Sequence, residues 1–284
     1  QTYTDAANNL AKLGLEASML PEFSFTADGV PNTWSQLEHM SPAHVAPGTV
    51  GAVHIVFQYY VSADGRRQRE LDHVLVSHLK NPHVERVHVL VQEPLDLRAV
   101  FHGLPVEWSE KVDVVHTDGQ RLTFALAFQY ANTRLQGKVV ALCNADIAFD
   151  ETLVFAMGVP QKTVFALLRW EPAGGSAGYS LDFPGLVNAD HRKWELRPRI
   201  DQQDAWIFTA PLDVRPSAFA FFLGQPRCDN RLAAELVEQG ITVLNPAISI
   251  RALHHQRDPR RAYTNDDHVP GAIAMVRVSL LQTN

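Results

Sequence analysis

Two apolar runs separated by one helix-period segment constrain this chain more than any other feature. Val53-His54-Ile55-Val56-Phe57-Gln58-Tyr59-Tyr60 is rich in β-branched and aromatic residues, as a buried strand requires. Over 67–79, Leu71, Val74, Leu75, His78 and Leu79 recur at helical spacing, and Asn81-Pro82 closes the segment. Val84-Glu85-Arg86-Val87-His88-Val89-Leu90-Val91 then reads as a second strand. Strand, helix and strand in that order call for a parallel pair joined by a right-handed crossover.

The alternation continues downstream. Short strands are predicted over 111–116, 139–143 and 163–168, with a helix over 122–135 that offers Phe124, Leu126, Ala127, Phe128, Tyr130 and Ala131 for packing. Residues 206–208 and 218–222 read as further short strands. A helix over 230–239 ends at Gly240, and Val243-Leu244 and Ile248-Ser249-Ile250 lead into His254-His255. Residues 271–281 give a last strand-like run, and 173–178, Ala-Gly-Gly-Ser-Ala-Gly, is a flexible loop. This predicts the α/β class, a single domain with a mostly parallel central sheet flanked by helices. Residues 1–48, broken by proline, glycine and polar residues after a short helical stretch, are expected to be an accessory lead-in.

At 284 residues with 46% apolar content, the chain can bury a sizeable core. A net charge of −6 argues against a nucleic-acid partner held by phosphate contacts, but not against a small anionic ligand with a local positive site. The two cysteines, Cys143 and Cys228, read as reduced thiols. No stretch reaches the length of a membrane span. The chain begins at Gln1 without a signal peptide and is expected to be part of a longer multidomain protein. There is no Gly-x-x-x-x-Gly-Lys loop, no Gly-x-Gly-x-x-Gly after the first strand and no Gly-x-Ser-x-Gly elbow. Kinases, dinucleotide dehydrogenases and α/β-hydrolases therefore lose support.

Asn144-Ala145-Asp146 follows the apolar run 139–143 directly. Ligands of open α/β sheets bind outside the carboxyl ends of strands. A carboxylate there, beside a short amide, can hold a hard divalent cation that also touches a diphosphate; a simple turn is the rival reading. Further segments fall into a recognisable order: Arg67-Gln68-Arg69-Glu70-Leu71, Asn144-Ala145-Asp146-Ile147-Ala148-Phe149-Asp150, Gln203-Asp204-Ala205-Trp206-Ile207-Phe208, and 223–231 with Asp229-Asn230. Residues 240–246, His254-His255 and Arg260-Arg261-Ala262-Tyr263 complete it. In this order the chain resembles GT-A-fold glycosyltransferases, in particular a little-annotated bacterial and viral group of glycosyltransferase-like proteins. The resemblance covers roughly 51–263, which sets a glycosyltransferase domain over 49–263 and a C-terminal extension over 264–284 that packs on it.

The resemblance implies a Mn²⁺ or Mg²⁺ ion held by Asp146, with Asn144 standing where the family commonly carries Asp or Ser. A late histidine returns to such sites. Neighbours on a strand face opposite ways, so at most one of His254 and His255 serves, and His255 is preferred. Asp204 and Asp229 are the catalytic candidates, as base, nucleophile or sugar-hydroxyl ligand; helix N-caps are the rival reading for both. Gln58 and Tyr59, at the end of the first strand, are assigned to base and ribose. Arg67, Arg69, Arg121 and Arg261, whose guanidinium groups suit phosphate, are assigned to the nucleotide sugar together with Asn144 and Asp146, and the flanking Arg260 and Tyr263 are expected to close over the diphosphate. Trp206 and Asn230 are assigned to the acceptor. The expected activity is transfer of a sugar from a nucleotide-diphosphate donor, UDP-sugar favoured, to a glycan acceptor. The resemblance implies surface polysaccharide synthesis, in the cytoplasm or at the inner membrane face. The alternatives are a catalytically silent nucleotide-sugar or glycan-binding module of a larger synthase, and, last, a sugar nucleotidyltransferase, for which a glycine-rich N-terminal phosphate loop is missing.

Overall fold

Local chemistry sets the first strand–helix–strand unit. β1 (Val53–Gln58) is buried along nearly its whole length. The Asp64 side chain then caps the first helix by accepting from the Arg66 N–H at 2.8 Å. This helix, α1 (Gly65–Lys80), buries Leu71, Val74, Leu75 and Leu79 and stops at Asn81, the residue before Pro82. β2 (Val84–Val91) pairs with β1 in parallel. β3 (Val112–His116) extends the parallel ladder beyond β2. α2 (Phe124–Arg134), capped by Thr123, leads into β4 (Val139–Cys143), which is fully buried and parallel to β1. The computed structural model describes residues 52–102, 104–172, 194–196, 201–256, 267–279 and 281. The expected lead-in over 1–48, the loop over 173–178, and Arg260, Arg261 and Tyr263 lie outside the described residues.

The remaining elements are β5 (Ile147–Phe149), β6 (Thr163–Leu167), β7 (Arg169–Pro172), β8 (Trp194–Glu195), β9 (Ala205–Thr209), α3 (Cys228–Glu238), β10 (Thr242–Leu244) and β11 (Ala252–His254). The main sheet has the order β10-β6-β9-β4-β1-β2-β3. β9 runs antiparallel to both β4 and β6, and the other neighbours are parallel. A second sheet has the order β5-β11-β7-β8. Between β1 and β4 the strand order reverses direction, which opens a crevice at their carboxyl ends. The layout is an α/β domain with a mostly parallel central sheet flanked by helices, as the strand–helix alternation implies. One core cluster lies on the α1 face and includes Ile55, Phe57, Leu71 and Leu75. A second lies on the α2 and α3 face and includes Val56, Phe124, Phe128, Trp206 and Leu232.

Two expected strands take other forms, and so does the segment before His254. Ala218 and Phe219 belong to a 3-10 turn, Pro216–Phe219, with proline in its first position, and Phe219 is fully buried with its ring 5.2 Å from that of Phe128. Proline lacks the N–H a ladder needs but suits the start of a helical turn. Residues 248–250 form a turn in which Ser249 and Ile250 both donate to the Pro246 carbonyl at 2.9 Å. The described residues of 271–281 lie along the domain through separate contacts, Ala274 N–H to Asn230 O at 3.0 Å and Ser279 N–H to Asn245 O at 2.7 Å, with an isolated bridge at Val278 in place of a ladder.

Asp150 ties the segment after β5 to the rest of the fold. Its Oδ1 accepts from the Thr152 N–H at 3.0 Å, and its Oδ2 meets Arg251 Nε at 2.6 Å. The Asn81 amide donates to the carbonyls of Phe149 and Asp150 at 3.1 and 3.0 Å. Asp150→Ala strips a turn of its cap and leaves the Arg251 guanidinium short of a buried partner. It is expected to lower stability by about 3 kcal/mol, read from urea unfolding.

Candidate active site

A cavity of about 1430 Å³ opens at the carboxyl ends of β1 and β4. Gln58 from the end of β1, Arg66 and Arg67 from the first turn of α1, and Asn144 and Asp146 from the segment after β4 line one side. Asp204, just before β9, and Asp229 and Asn230, in the first turn of α3, line the other. Arg169 and His254 enter the wall from the second sheet.

The floor is a chain of alternating charge. Arg67 spans Glu70 and Asp146, with Nη1–Oε2 at 3.1 Å and Nη2–Oδ2 at 2.9 Å. His254 Nε2 lies 3.8 Å from the same Asp146 oxygen, and its Nδ1 meets Glu171 Oε2 at 2.9 Å. Arg169 joins Glu171 Oε1 at 2.5 Å to Asp204 Oδ2 at 3.1 Å. The Asn144 amide donates to the other Asp204 oxygen at 2.7 Å. Burial opposes charge on Asp146, yet His254 and Arg67 hold its carboxyl well below the usual carboxylate range. Burial also opposes protonation of His254, but the carboxylates of Asp146 and Glu171 outweigh it and push the imidazole up to about 9. His254 is therefore a cation at neutral pH.

Asp229 is the opposite case. Burial pushes its carboxyl up to about 6, against the N–H groups of Gln203 and Asn230 and with help from the neighbouring charge of Asp204. Those N–H groups reach its two oxygens at 3.0 and 2.9 Å. It sits inside the first turn of α3, whose N-cap is Arg227 at φ +66°. Asp204 precedes a strand, so neither aspartate is a helix N-cap. Arg121 lines the cavity, donates to the Leu223 carbonyl at 3.1 Å and lies 4.9 Å from the Phe222 ring.

The structure turns four sequence-assigned residues away from this cavity. Tyr59 is buried, its hydroxyl bonded to Asp72 and to the Gln68 amide, while Tyr60 lines the cavity in its place. Arg69 is exposed outside it, because two helical positions are about 200° apart at 3.6 residues per turn. Trp206 is fully buried on the α2 face, its ring centroid 4.8 Å from that of Phe124 in an edge-on contact, and offers no surface to a sugar. The His255 imidazole packs against His73 and Trp194 behind the site, and its backbone N–H donates to the Asp146 carbonyl, 2.7 Å away. His254 is the histidine that faces the carboxylate. Arg66, Arg169 and Glu171 went unassigned in the sequence; an arginine closing the buried run 163–168 was the one available signal.

Among the described residues, no three His, Cys, Asp or Glu side chains converge as a metal cage. Asp146 meets its two cationic partners through Oδ2 alone, so its Oδ1 is the carboxylate oxygen open to an ion. That donor set fits an ion carried by a diphosphate, which supplies most of the coordination itself. No helix of the described residues is long and apolar enough to cross a membrane.

No protein-family model matches the chain, and no curated protein matches it in sequence. Solved structures do resemble it. A mannosyltransferase from Pyrobaculum calidifontis, in complex with GDP-Man and Mn²⁺, matches 92% of this chain and 67% of its own at 12% identity and TM-score 0.46. GalNAc-T7 with UDP, GalNAc and Mn²⁺ matches 79% of this chain and 47% of its own at 10% identity and TM-score 0.48. The inositol-1-phosphate CTP transferase from T. maritima matches 74% and 91% at 12% identity and TM-score 0.44. Likenesses at this level concern the fold; function is argued from the site.

Proposed function

We propose that this chain is a glycosyltransferase that moves a sugar from a nucleotide-diphosphate donor to a glycan acceptor, in surface polysaccharide synthesis. The carrying observation is the cavity itself. At one switch point it joins a carboxylate flanked by two cations, Asp146 between Arg67 and His254, to a pair of carboxylates, Asp204 and Asp229. Arg66, Arg67 and Arg121 bind the diphosphate, and Gln58 and Tyr60 meet the nucleoside. Asp146 is the residue that would hold a Mn²⁺ or Mg²⁺ ion, which when bound would supply positive charge for the departing diphosphate. Asp229, poised near neutral pH, accepts the proton of the acceptor hydroxyl as its oxygen bonds to the anomeric carbon and the diphosphate leaves. Asp204 and Asn230 bind sugar hydroxyls. Drug-sized ligand pockets run to roughly 300–1,000 Å³, so a cavity of about 1430 Å³ has room for donor and acceptor together.

The test is donor hydrolysis and transfer across UDP-, GDP- and CMP-sugars, with and without Mn²⁺. Turnover of one donor class is expected, with UDP-sugars first. Nucleotide binding with no turnover on any acceptor makes the chain a silent module of a larger synthase. Absence of both binding and turnover removes the nucleotide-sugar reading.

A further inference from the structure

Asn144 occupies the first position of the Asn-x-Asp segment, where a carboxylate would add a second ligand for an ion. Its surroundings explain the amide. The Asn144 N–H donates to the Asp204 carbonyl at 3.0 Å, and the Asp204 N–H donates to the Leu167 carbonyl at 3.0 Å. The Asp204 backbone is therefore locked between the tips of β4 and β6, and only its side chain is left to orient. Asn144 Nδ2 takes Oδ1 at 2.7 Å, and Arg169 Nη1 takes Oδ2 at 3.1 Å. Arg169 is itself fixed by Glu171. The Arg169 and Asp204 side chains are 15% and 10% exposed, so both bonds lie largely out of water, where they hold an orientation well. An aspartate at 144 has no proton to donate at neutral pH; it would face Asp204 as a second carboxylate and require a shared proton or a cation between them.

We propose that Asn144 and Arg169 are positioning residues that act through Asp204, and that the amide at 144 keeps Asp204 out of the ion site. Each Asp204 oxygen keeps a lone pair for a sugar hydroxyl, so the carboxylate serves as a fixed hydrogen-bond acceptor beside the reacting carbon. This rests on the glycosyltransferase reading above. It also moves Asn144 from the nucleotide to the reacting sugar.

The test uses the full chain with Asn144→Ala, Asn144→Asp, Arg169→Ala and Arg169→Lys. With the active donor, the alanine variants are expected to lower kcat by about 10²-fold, with UDP affinity by calorimetry within about two-fold of the parent. Arg169→Lys recovers part of the loss. Asn144→Asp creates a facing carboxylate pair and binds free Mn²⁺, measured by electron paramagnetic resonance, at least about ten-fold more tightly than the parent. A large loss of UDP affinity with unchanged kcat overturns the proposal, as does unchanged Mn²⁺ binding in Asn144→Asp. Thermal melts serve if no donor is turned over. Asn144→Ala is expected to lower Tm by a few degrees alone and by nothing further beside Asp204→Ala. Additive losses mean that Asn144 does not act through Asp204. Such a result sinks the clamp and leaves the glycosyltransferase reading standing, whereas a protein inactive on every donor with a coupled melt does the reverse.

Discussion

Replacing Asp146 by alanine is expected to lower kcat for transfer by about 10³-fold, roughly 4 kcal/mol of transition-state stabilisation. The reason lies in where charge develops. In the proposed reaction, departure of a nucleoside diphosphate would gather negative charge beside Asp146, and an ion held by Asp146 would be the dipositive group that meets it. The fold should survive the change, because both cations on Asp146 keep a second partner. Arg67 retains Glu70, and His254 retains Glu171. Nucleotide affinity measured without Mn²⁺ should not fall, since a carboxylate facing the phosphates is removed while Arg67 and His254 stay. Kinetics with and without Mn²⁺, beside a thermal melt, checks the result. Normal turnover in a folded Asp146→Ala protein would sink the metal role.

Asp229→Asn is expected to remove about 10²- to 10⁴-fold of kcat, the range for a positioned general base. Its pH signature is more specific than its size. Burial pushes Asp229 up to about 6 in the free protein. The base works only when ionised, so kcat/KM should be level above about pH 6 and fall about ten-fold per unit below it. In Asp229→Asn that acid limb should vanish along with the rate. With Asp229 as base the anomeric centre inverts, and the configuration of the product reads this directly. A limb that persists in the variant assigns the titration to another group, and a retained anomeric configuration rejects Asp229 as the attacking base.

The elements that were legible in advance share one property, a partner set that hardly matters to them. Residues 84–91 and 139–143 are buried runs of β-branched and other apolar residues, and such a run reads as strand whichever neighbour it meets. The helices announce themselves through periodicity and through caps such as Asp64 and Thr123, which act over a few residues. β5, β7, β8 and β11 have two to four residues each and were not legible, because their state comes from the strands beside them. The stretch 218–222 misleads because an apolar run suits a strand and a buried 3-10 turn equally, and a proline upstream decides between them.

The candidate site divides in the same way. The positions of Asp146, Asp204 and Asp229 at the ends of core elements could be read along the chain, since a carboxylate next to a buried run has to emerge from it. Alternation along a strand says that neighbours face opposite ways but not which face meets the cavity. That single missing bit separates His254 from His255 and Tyr60 from Tyr59. Trp206 fails for the same cause: in a strand inserted between β4 and β6, one face lies under α2.

Local sequence therefore determined the α/β class, the first half of the sheet and the three aspartates, because strand burial, helix periodicity and capping act within a few residues. Tertiary structure alone decided what surrounds those aspartates. Arg67 meets Asp146 across 79 positions, and Arg169 meets Asp204 across 35. Contacts of that span are set by strand order rather than by neighbours in the chain, and in the proposed site they make one carboxylate an anchor, one a clamped acceptor and one a base.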